Sequence, residues 1–288
     1  MISCAANRFS EQEVLTMSDI IAIASGKGGV GKSTLTANLG LALFREGASV
    51  ALVDGDTGLR SLDLILSMDS QGIYDLIDVS DGSCLLDQAL LPVQGMQSFQ
   101  LLPAAQFART RDISAKRLHR ILRTLKARFD FVLVDCPAGL EKGLRTVLSS
   151  GIDRLILVTS SDDISLRDAE RLIQVAKEKD APQPSLIINR IIPELVRRGE
   201  MLSASSAAAV LDVPLLGEIP EDICVTRSLL RHTFFLDLDC PARQAVLRIA
   251  SRILGRDVPF PSLGSQKPSL IQRLFFPALK EVTPLDNH

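Results

Sequence analysis

The sequence predicts an α/β fold built on a mainly parallel, doubly wound sheet. Short apolar runs bounded by turn residues alternate with longer segments of helical periodicity, which is the pattern of β-α-β units. Most runs are continuous in Val, Ile, Leu or Phe, as expected of strands covered on both faces. With 46% hydrophobic and 23% charged residues, the 288-residue chain can bury a sizeable core, which excludes wholesale disorder.

This alternation assigns the elements in chain order. The apolar runs predict strands at 20–24, 50–53, 99–102, 131–134, 155–158, 186–188 and 215–219. The segments between them predict helices at 32–45, 114–127, 144–149, 165–179, 205–211, 225–230 and 241–254. Residues 1–18 are expected to be a disordered lead. Prolines and polar residues after Gly255 predict a linker at 257–268.

Charge, cysteine usage and hydropathy narrow the class of protein. The 32 Lys and Arg against 34 Asp and Glu give a net charge of −2, so DNA is not expected as the main partner. The cysteines lack C-x-x-C or C-x-x-H spacing, which predicts neither a disulfide framework nor a zinc site. No run of about 18 apolar residues and no signal-peptide pattern is present, so we expect a cytoplasmic protein. The five cysteines are Cys4, Cys84, Cys136, Cys224 and Cys240.

A glycine-rich loop carries the strongest functional signal. The segment GKGGVGKS at 26–33 matches G-x-x-x-x-G-K-[ST] and lies between the first predicted strand and helix. Its glycines would let backbone N–H groups wrap a phosphate at a helix N-terminus. Lys32 would reach the β- and γ-phosphates, and the Ser33 hydroxyl would ligate Mg²⁺. The predicted phosphate-binding residues of this P-loop NTPase-like site are Gly26, Gly28, Gly29, Val30, Gly31, Lys32, Ser33 and Thr34.

Two predicted strands end in carboxylates that would complete a metal and nucleotide site. FVLVD at 131–135 is a Walker B arrangement, in which Asp135 holds Mg²⁺ directly or through water. VALVDGD at 50–56 places Asp54 and Asp56 at a strand's carboxyl end, where open α/β sheets bind their ligands.

The phosphate loop and its surroundings resemble those of one ATPase family. Lys27, directly after the first glycine, gives the K-G-G-V-G-K-[ST] form of the deviant Walker A ATPases. Together with GDTGLRSLDLIL after the second strand, it makes the sequence similar to the MinD family of septum-site-determining ATPases. Further matching strings are IYDLIDV at 73–79, DCPAGLEKG at 135–143, SLRDAERLI at 165–173, GEMLS at 199–203 and GEIPED at 217–222.

The resemblance implies ATP and Mg²⁺ as cofactors and an ATP-dependent homodimer. Lys27 would cross the dimer to touch the nucleotide of the other subunit, as an arginine finger does. Asp56 would orient the attacking water, and Asp54 would support the water shell of the metal. The adenine-recognising residues implied by the resemblance are Asn189, Arg190, Pro220, Glu221 and Asp222.

The same resemblance implies partners for the ATP-bound form. These are a MinC-like division inhibitor and a MinE-like ATPase activator, at surfaces that include Arg60 and Asp168. Ser61 departs from the asparagine common in G-L-R-N-L-D. The implied function is an ATP-hydrolysing peripheral membrane switch that recruits a division inhibitor to place the septum.

The C-terminal segment SLIQRLFFPALK predicts an amphipathic helix at 269–280, and it resembles the C-terminal membrane-targeting helix of the MinD family. A segment that folds back onto the domain or docks on a partner would show the same pattern. At 100° per residue, Leu270, Ile271, Leu274 and Phe275 lie within 140° of one another on one face. Pro277 should end the helix early, and only one basic residue lies within 270–276. Anionic inner-membrane lipids are the expected partner, with the protein cycling between the cytoplasm and the inner membrane's cytoplasmic face. The predicted membrane-contacting residues are Leu270, Ile271, Arg273, Leu274, Phe275 and Phe276.

Three alternatives share part of this pattern. A ParA-type partition ATPase has the same nucleotide chemistry, but it predicts a basic DNA-binding face. A flagellar-number relative of MinD would share the tail. An ATP-gated recruitment scaffold would have negligible turnover, although Lys27 and Asp56 argue against lost catalysis.

Overall fold

The predicted α/β class is confirmed by a single mixed sheet in the computed structural model, which describes residues 18–56, 61–68, 73–105 and 113–261. Within those residues the strands are β1 (Asp19–Ala24), β2 (Val50–Asp54), β3 (Leu91–Val93), β4 (Met96–Leu102), β5 (Phe131–Asp135), β6 (Arg154–Thr159), β7 (Pro184–Ile191) and β8 (Leu215–Pro220). The order in the sheet is β3-β4-β2-β5-β1-β6-β7-β8. Every pair of neighbours is parallel except β3 and β4, which form an antiparallel hairpin at one edge.

The helices follow the strands as β-α-β units require. In the same described ranges they are α1 (Lys32–Arg45), α2 (Ser61–Ile65), α3 (Leu76–Asp81), α4 (Leu86–Ala89), α5 (Ala115–Lys126), α6 (Lys142–Leu148), α7 (Asp163–Glu178), α8 (Pro193–Arg197), α9 (Ala204–Leu211), α10 (Ile223–Leu230) and α11 (Pro241–Ile253). Each predicted strand lies inside an observed one, and each predicted helix overlaps an observed one. The strand β3 and the short helices α2, α3, α4 and α8 were not predicted, because three to six residues are too few to show a period.

Two hydrophobic cores cover the two faces of the sheet. Ile20, Ala22 and Ala24 of β1 belong to the core that includes residues of α5, α6, α7 and α9. The alternate residues Ile21 and Ile23 belong to the core that includes residues of α1, α2 and α11. Because successive side chains of a strand point to opposite faces, this division confirms the doubly wound arrangement.

The register of the central strands sets the position of the site. Asp54 of β2 is paired with Asp135 of β5, and Asp135 is paired with Ile23 of β1. Both carboxylates therefore end their strands at the same edge of the sheet, beside the loop that follows β1. In this order β1 lies between β5 and β6, so the segment that connects β5 to β6 crosses β1. Ligands of open α/β sheets bind at such a crossing, beyond the carboxyl ends of the strands.

Among the residues described, no helix is both long enough and apolar enough to cross a bilayer.

The lead, the linker and the tail helix predicted from the sequence fall partly or wholly outside the described residues. The first residues of the predicted linker pack on α11, since the Arg252 guanidinium donates to the carbonyl oxygens of Val258 and Pro259 at 3.0 Å each. The guanidinium carbon also lies 3.9 Å from the ring centroid of Phe260. The predicted lead up to residue 17, the linker from 262 and the tail helix at 269–280 lie outside the described residues.

Helix α1 lies close against the sheet at Gly40. A Cβ atom there would lie 2.8 Å from Leu52 Cδ2 and 3.1 Å from Phe99 Cε2. Phe99 is fully buried and stacks on Phe44, with 5.6 Å between the ring centroids. The missing side chain therefore allows the helix that carries the phosphate loop to lie directly on β2 and β4.

We expect Gly40→Ala to lower the free energy of unfolding by about 1–3 kcal/mol, because the added methyl overpacks a filled core. Alanine favours helix over glycine by roughly 1 kcal/mol, so a purely local effect would have the opposite sign. Urea unfolding of the two proteins measures the difference. A variant as stable as the parent, or more stable, would show that the helix can move away from the sheet without cost.

Candidate nucleotide-binding site

The loop between β1 and α1 is shaped around a glycine at the helix N-terminus. Gly31 is the residue before α1 and has φ 90°, in the left-handed region that favours glycine. A Cβ atom at Gly31 would lie 2.6 Å from Asn189 Nδ2, which donates a hydrogen bond to the Val30 carbonyl oxygen at 2.7 Å. No side chain caps α1 at Gly31. Its first-turn N–H groups, which have no carbonyl partner within the helix, face the loop as an anion site requires.

Lys32 forms a buried ion pair with the Walker B carboxylate. Its Nζ lies 2.6 Å from Asp135 Oδ1, with the two side chains 5% and 0% exposed. The Thr36 hydroxyl donates to the Lys32 carbonyl oxygen at 3.0 Å and lies 3.4 Å from the same Asp135 oxygen. The sequence predicted that Lys32 reaches the phosphates of a nucleotide, whereas in this structure it neutralises Asp135. The reason is physical, because a buried ammonium needs a counter-charge and Asp135 supplies it.

Buried polar atoms around this pair lack partners within the described part of the chain. Asp135 Oδ2 and the Ser25 hydroxyl oxygen are both buried without a hydrogen bond there. Asp135 ends β5 and Ser25 directly follows β1, so both atoms belong to the ligand-binding edge of the sheet. Unsatisfied oxygens of this kind fit a site whose ligand or bound water supplies the missing contacts.

Asp54 is the second carboxylate of the cluster and is fully buried. Its Oδ1 accepts from the Asp56 N–H at 3.0 Å, and its Oδ2 accepts from the Leu62 N–H at 3.3 Å. Burial and then the charge of Asp135 raise the pKa of Asp54 to about 8, against the lowering effect of these two hydrogen bonds. At neutral pH the carboxyl is therefore protonated here, and a bound divalent cation would favour its ionised form.

Asp56 lies at the mouth of the same cluster and is half-buried. The pKa of Asp56 is raised overall. Burial is the main cause and the charge of Asp135 adds to it, while the charge of Lys32 acts in the opposite direction. The preceding residue is held against β5, because the Gly55 N–H donates to the Asp135 carbonyl oxygen at 2.9 Å. The chain thus places Asp54, Asp56 and Asp135 at the same edge of the sheet as Lys32 and Ser33.

The phosphate loop lies close to helix α7 and to the residue that caps it. Lys27 is exposed, and its charge contributes to the low pKa of Asp162, the residue that caps α7. Burial raises the pKa of Asp162, but hydrogen bonds from the Ser160 hydroxyl and from the hydroxyl and N–H of Ser165, with the charge of Lys27, bring it to about 2. A Cβ atom at Gly26 would lie 2.3 Å from the Asp168 carbonyl oxygen. Asp168 therefore lies against the start of the loop, while Arg60 is outside the described residues.

A pocket beside the loop contains all five of the residues expected to recognise adenine. Asn189 and Arg190 come from β7, Pro220 ends β8, and Glu221 and Asp222 follow it. Gly31 and Thr34 line the same pocket, so it is continuous with the phosphate loop. The pocket also contains residues that the sequence did not single out, because no motif marks them: Leu35, Ile219, Val225, Thr226, Leu229 and Phe235. Their largely apolar surface suits a flat heterocyclic base.

Comparison with known proteins identifies the class first. The family model described as "ParA: NUBPL iron-transfer P-loop NTPase" matches residues 16–254. That range contains the loop, the buried Lys32–Asp135 pair and the pocket. The class defined by this fold and site is therefore that of the P-loop NTPases.

Sequence relatives identify the family within this class. The chain is 38% identical over 261 residues to the septum site-determining protein MinD of Synechocystis, covering 90% of this chain and 97% of the relative. It is 36% identical over 262 residues to MinD of Bacillus subtilis, covering 90% and 97%. The chain belongs to the MinD family.

Solved structures of the family share the fold. The MinD cell division protein of Aquifex aeolicus gives a TM-score of 0.78 at 36% identity, covering 85% of this chain and all of that one. In the MinC:MinD complex from the same organism the TM-score is 0.79, again at 36% identity, with 85% and 98% covered. MinD of Pyrococcus horikoshii complexed with Mg-ADP gives 0.73 at 33% identity, with 82% and 96% covered.

We expect the pH dependence of stability to report on Asp54. A carboxyl whose pKa is 3.8 in the unfolded chain and about 8 in the folded one holds its proton more tightly when folded. The stability that this proton contributes is present at low pH and is lost as pH rises through about 8. In metal-free and nucleotide-free protein, the loss between about pH 6 and about pH 8 should be smaller in Asp54→Asn by on the order of 2 kcal/mol.

Denaturant unfolding at the two pH values measures this difference. Asp239→Asn removes one negative charge from a carboxylate that is 91% exposed, so it serves as the matched control and should keep the parental difference. Identical pH dependence in Asp54→Asn and the parent would contradict the assignment of the proton to Asp54.

Proposed function

We propose that the protein is an ATP-hydrolysing, ATP-dimerised peripheral membrane switch that places the cell-division septum. The observation that carries the proposal is the exposed Lys27 at the tip of a phosphate loop that surrounds the buried Lys32–Asp135 pair, in a chain of the MinD family. The alternatives are a ParA-type partition ATPase, a flagellar-number relative and a scaffold without turnover. Phosphate release distinguishes the scaffold from this proposal, and binding to vesicles or to DNA distinguishes the partition ATPase.

ATP and Mg²⁺ are the cofactors in this proposal. The loop N–H groups would hold the phosphates, and the pocket lined by Asn189 and Asp222 would hold the base. Ser33, Asp54 and Asp135 are oxygen donors placed on adjoining elements, which suits a hard cation that keeps part of its water shell. The related P. horikoshii MinD was solved with Mg-ADP, which supports the same ligand here.

Hydrolysis would proceed by in-line attack of water on the γ-phosphoryl group. The loose transition state spreads negative charge over the phosphoryl oxygens, so the protein contributes position and positive charge. Asp56, at the mouth of the cluster, would orient the water. Asp135 would then serve as an oxygen ligand of the metal site, and Lys32 would be free to reach the phosphates.

Lys27 would supply its charge to the other subunit of a dimer. Its side chain is exposed at the loop tip, whereas Lys32 is buried in the subunit's own site. A monomer would then lack one cation at the γ-phosphate and hydrolyse ATP slowly. This makes turnover a property of the dimer.

We expect Lys27→Ala and Asp56→Ala each to lower turnover by at least about 100-fold and an equal mixture of the two to regain activity. In a mixed dimer, the site of the Lys27→Ala subunit keeps its own Asp56 and receives Lys27 from its partner. Half of the dimers are mixed and each has one complete site, so the mixture should reach about a quarter of the parental rate per subunit. Steady-state phosphate release measures the rate.

The matched control is Lys32→Ala, which removes the buried lysine of the loop. This variant should lose nucleotide binding, and therefore dimerisation, so it should not complement Lys27→Ala. An inactive mixture of Lys27→Ala and Asp56→Ala, with both variants still binding ATP, would show that Lys27 acts within its own subunit. A parent without turnover would favour the recruitment scaffold.

Membrane attachment would come from residues 269–280, which lie outside the described residues. One such segment binds a bilayer marginally, because ordering about ten residues offsets most of the gain from burying four or five apolar side chains. Two segments held in one ATP dimer would raise the avidity by about 10²–10⁴ through effective concentration. Nucleotide state would then control residence on the inner membrane.

Partner binding would occur on the ATP-bound form. The MinC:MinD complex of A. aeolicus supports a MinC-like division inhibitor as one partner. A MinE-like activator is the second, and Arg60 and Asp168 are the proposed contact residues. Asp168 lies on α7 against the start of the phosphate loop, so a partner there would bind next to the catalytic elements.

We expect the full chain to sediment with anionic vesicles in ATP and to stay in the supernatant in ADP. A chain ending at Pro268 should stay in the supernatant with both nucleotides, and so should full-length Leu274→Glu, which places a charge on the apolar face. Vesicles of neutral lipid control for the electrostatic contribution. A parent that never sediments would contradict the tail role, and retention on DNA in ATP would then favour the partition-ATPase reading.

A further inference from the structure

Two cysteines that are far apart in the sequence meet at the N-termini of two helices. Asp222 precedes α10, Cys224 lies in its first turn, and Cys240 precedes α11. One carboxylate oxygen of Asp222 and the Sγ atoms of the two cysteines all lie within 4.8 Å of one another. No role in the proposed ATPase uses either thiol.

The carboxylate at the centre of this cluster is fixed by the backbone. Asp222 Oδ1 accepts from the Cys224 N–H at 2.8 Å, and Oδ2 accepts from the Ala242 N–H at 3.1 Å. The same side chain therefore joins the first turns of α10 and α11, so neither helix can move without disturbing it. The thiols of Cys224 and Cys240 also hydrogen-bond to this carboxylate, which has about four acceptor sites.

The environment of the thiols fits a cation ligand set. Cys240 is buried, and Cys224 is half-buried. Burial, followed by the charge of Asp222, raises the pKa of Cys240 to about 11, against a hydrogen bond from the Arg243 backbone. Without a cation this thiol is protonated. A metal ion displaces such protons, while the positive ends of two helices stabilise the thiolates that form.

We propose that Asp222, Cys224 and Cys240 form a binding site for a thiophilic divalent cation, with Zn²⁺ as the preferred ion. Two thiolates and one carboxylate are a soft donor set that suits Zn²⁺ and Cd²⁺ and disfavours Mg²⁺. Zn–S bonds of about 2.3 Å in a tetrahedron place two sulfurs roughly 3.8 Å apart. Side-chain movement of about 1 Å or less closes the present spacing, with water as the fourth ligand.

The site adjoins the nucleotide pocket, which gives the cation a means of control. Asp222 lines that pocket, and Cys240 Sγ lies 3.9 Å from the carbonyl oxygen of Phe235, another lining residue. A cation on Asp222 would fix the start of α10, whose Val225, Thr226 and Leu229 face the pocket. Linkage requires that metal and nucleotide affect each other's affinity equally. This coupling rests on the proposed nucleotide function, whereas the metal site does not.

Titration of the full chain with Cd²⁺ tests the site directly. The reduced, metal-free and nucleotide-free protein is expected to develop an ultraviolet thiolate-to-cadmium absorption band that saturates at one ion per chain. An excess of Zn²⁺ should compete for the same site and weaken the band. The band should be lost in Cys224→Ser and in Cys240→Ser.

The matched controls are Cys84→Ser and Cys4→Ser, which should keep the full band. Cys84 is partly exposed and packs on the opposite face of the sheet from Cys240, and Cys4 lies outside the described residues. A cooperative thermal transition in each variant shows that it is folded. For the parent, Zn²⁺ at about 100 times its dissociation constant should raise Tm by about 5 °C or more, and Cys224→Ser should not show this rise.

Three results would overturn the inference. The first is a parent that shows no saturable band. The second is a band that survives in both single variants, Cys224→Ser and Cys240→Ser. The third is a band that Cys84→Ser abolishes as completely as those two variants do. In each case the carboxylate serves only to cap two helices and the thiols only pack. The absorption is read without nucleotide, so failure of the ATPase or vesicle experiments leaves this test unaffected.

Discussion

The buried ion pair between Lys32 and Asp135 is the interaction on which the rest of the site depends. Each partner would be costly alone in a core, and the pair is stable because the two charges lie 2.6 Å apart. Its position follows from strand register, since β5 ends at Asp135 beside the point where β1 turns into the phosphate loop. A shift of one residue in that register would move Asp135 to the other face of the sheet. The sheet therefore stabilises a charge arrangement as well as a fold.

The same pair explains the state of Asp54. Lys32 can neutralise one carboxylate, and in register opposite Asp135 lies a second. Burial and this neighbouring charge keep Asp54 protonated in the absence of a cation. The nucleotide-free site is thus a set of oxygen ligands in which the Asp54 carboxyl must lose its proton before it can bind a metal ion. A divalent ion would replace that proton, which couples metal binding to pH.

Local signals in the sequence predicted the central elements and the phosphate loop. The run FVLVD has the length and composition of a buried strand, and β5 covers all five residues. Segments shorter than two helical turns, such as α8, had no detectable period. The pairing of Lys32 with Asp135 could not be predicted either, because the motif describes the nucleotide-bound arrangement.

Tertiary proximity accounts for the remaining omissions. Cys224 and Cys240 lack the spacing of a metal motif, and they meet only because α10 and α11 begin at the same point on the sheet edge. The apolar wall of the pocket beside the phosphate loop has the same origin, since Val225 and Leu229 are ordinary helix positions until α10 is placed beside Asn189. In both cases the residue types were visible in the sequence, whereas their convergence depends on packing.

The balance of charge at the loop gives a physical reason for a dimer. In the described part of the chain, the buried ammonium of Lys32 pairs with Asp135, the protonated Asp54 lies in register beside Asp135, and the charge of Lys32 lowers the pKa of the half-buried Asp56. That balance favours Mg²⁺, but it leaves little positive charge for the γ-phosphoryl oxygens on which the transition state concentrates negative charge. Lys27 is exposed at the loop tip, where a neighbouring molecule can reach it. A second copy that presents its own Lys27 would correct the deficit in both sites at once, since a two-fold interface makes each contact twice.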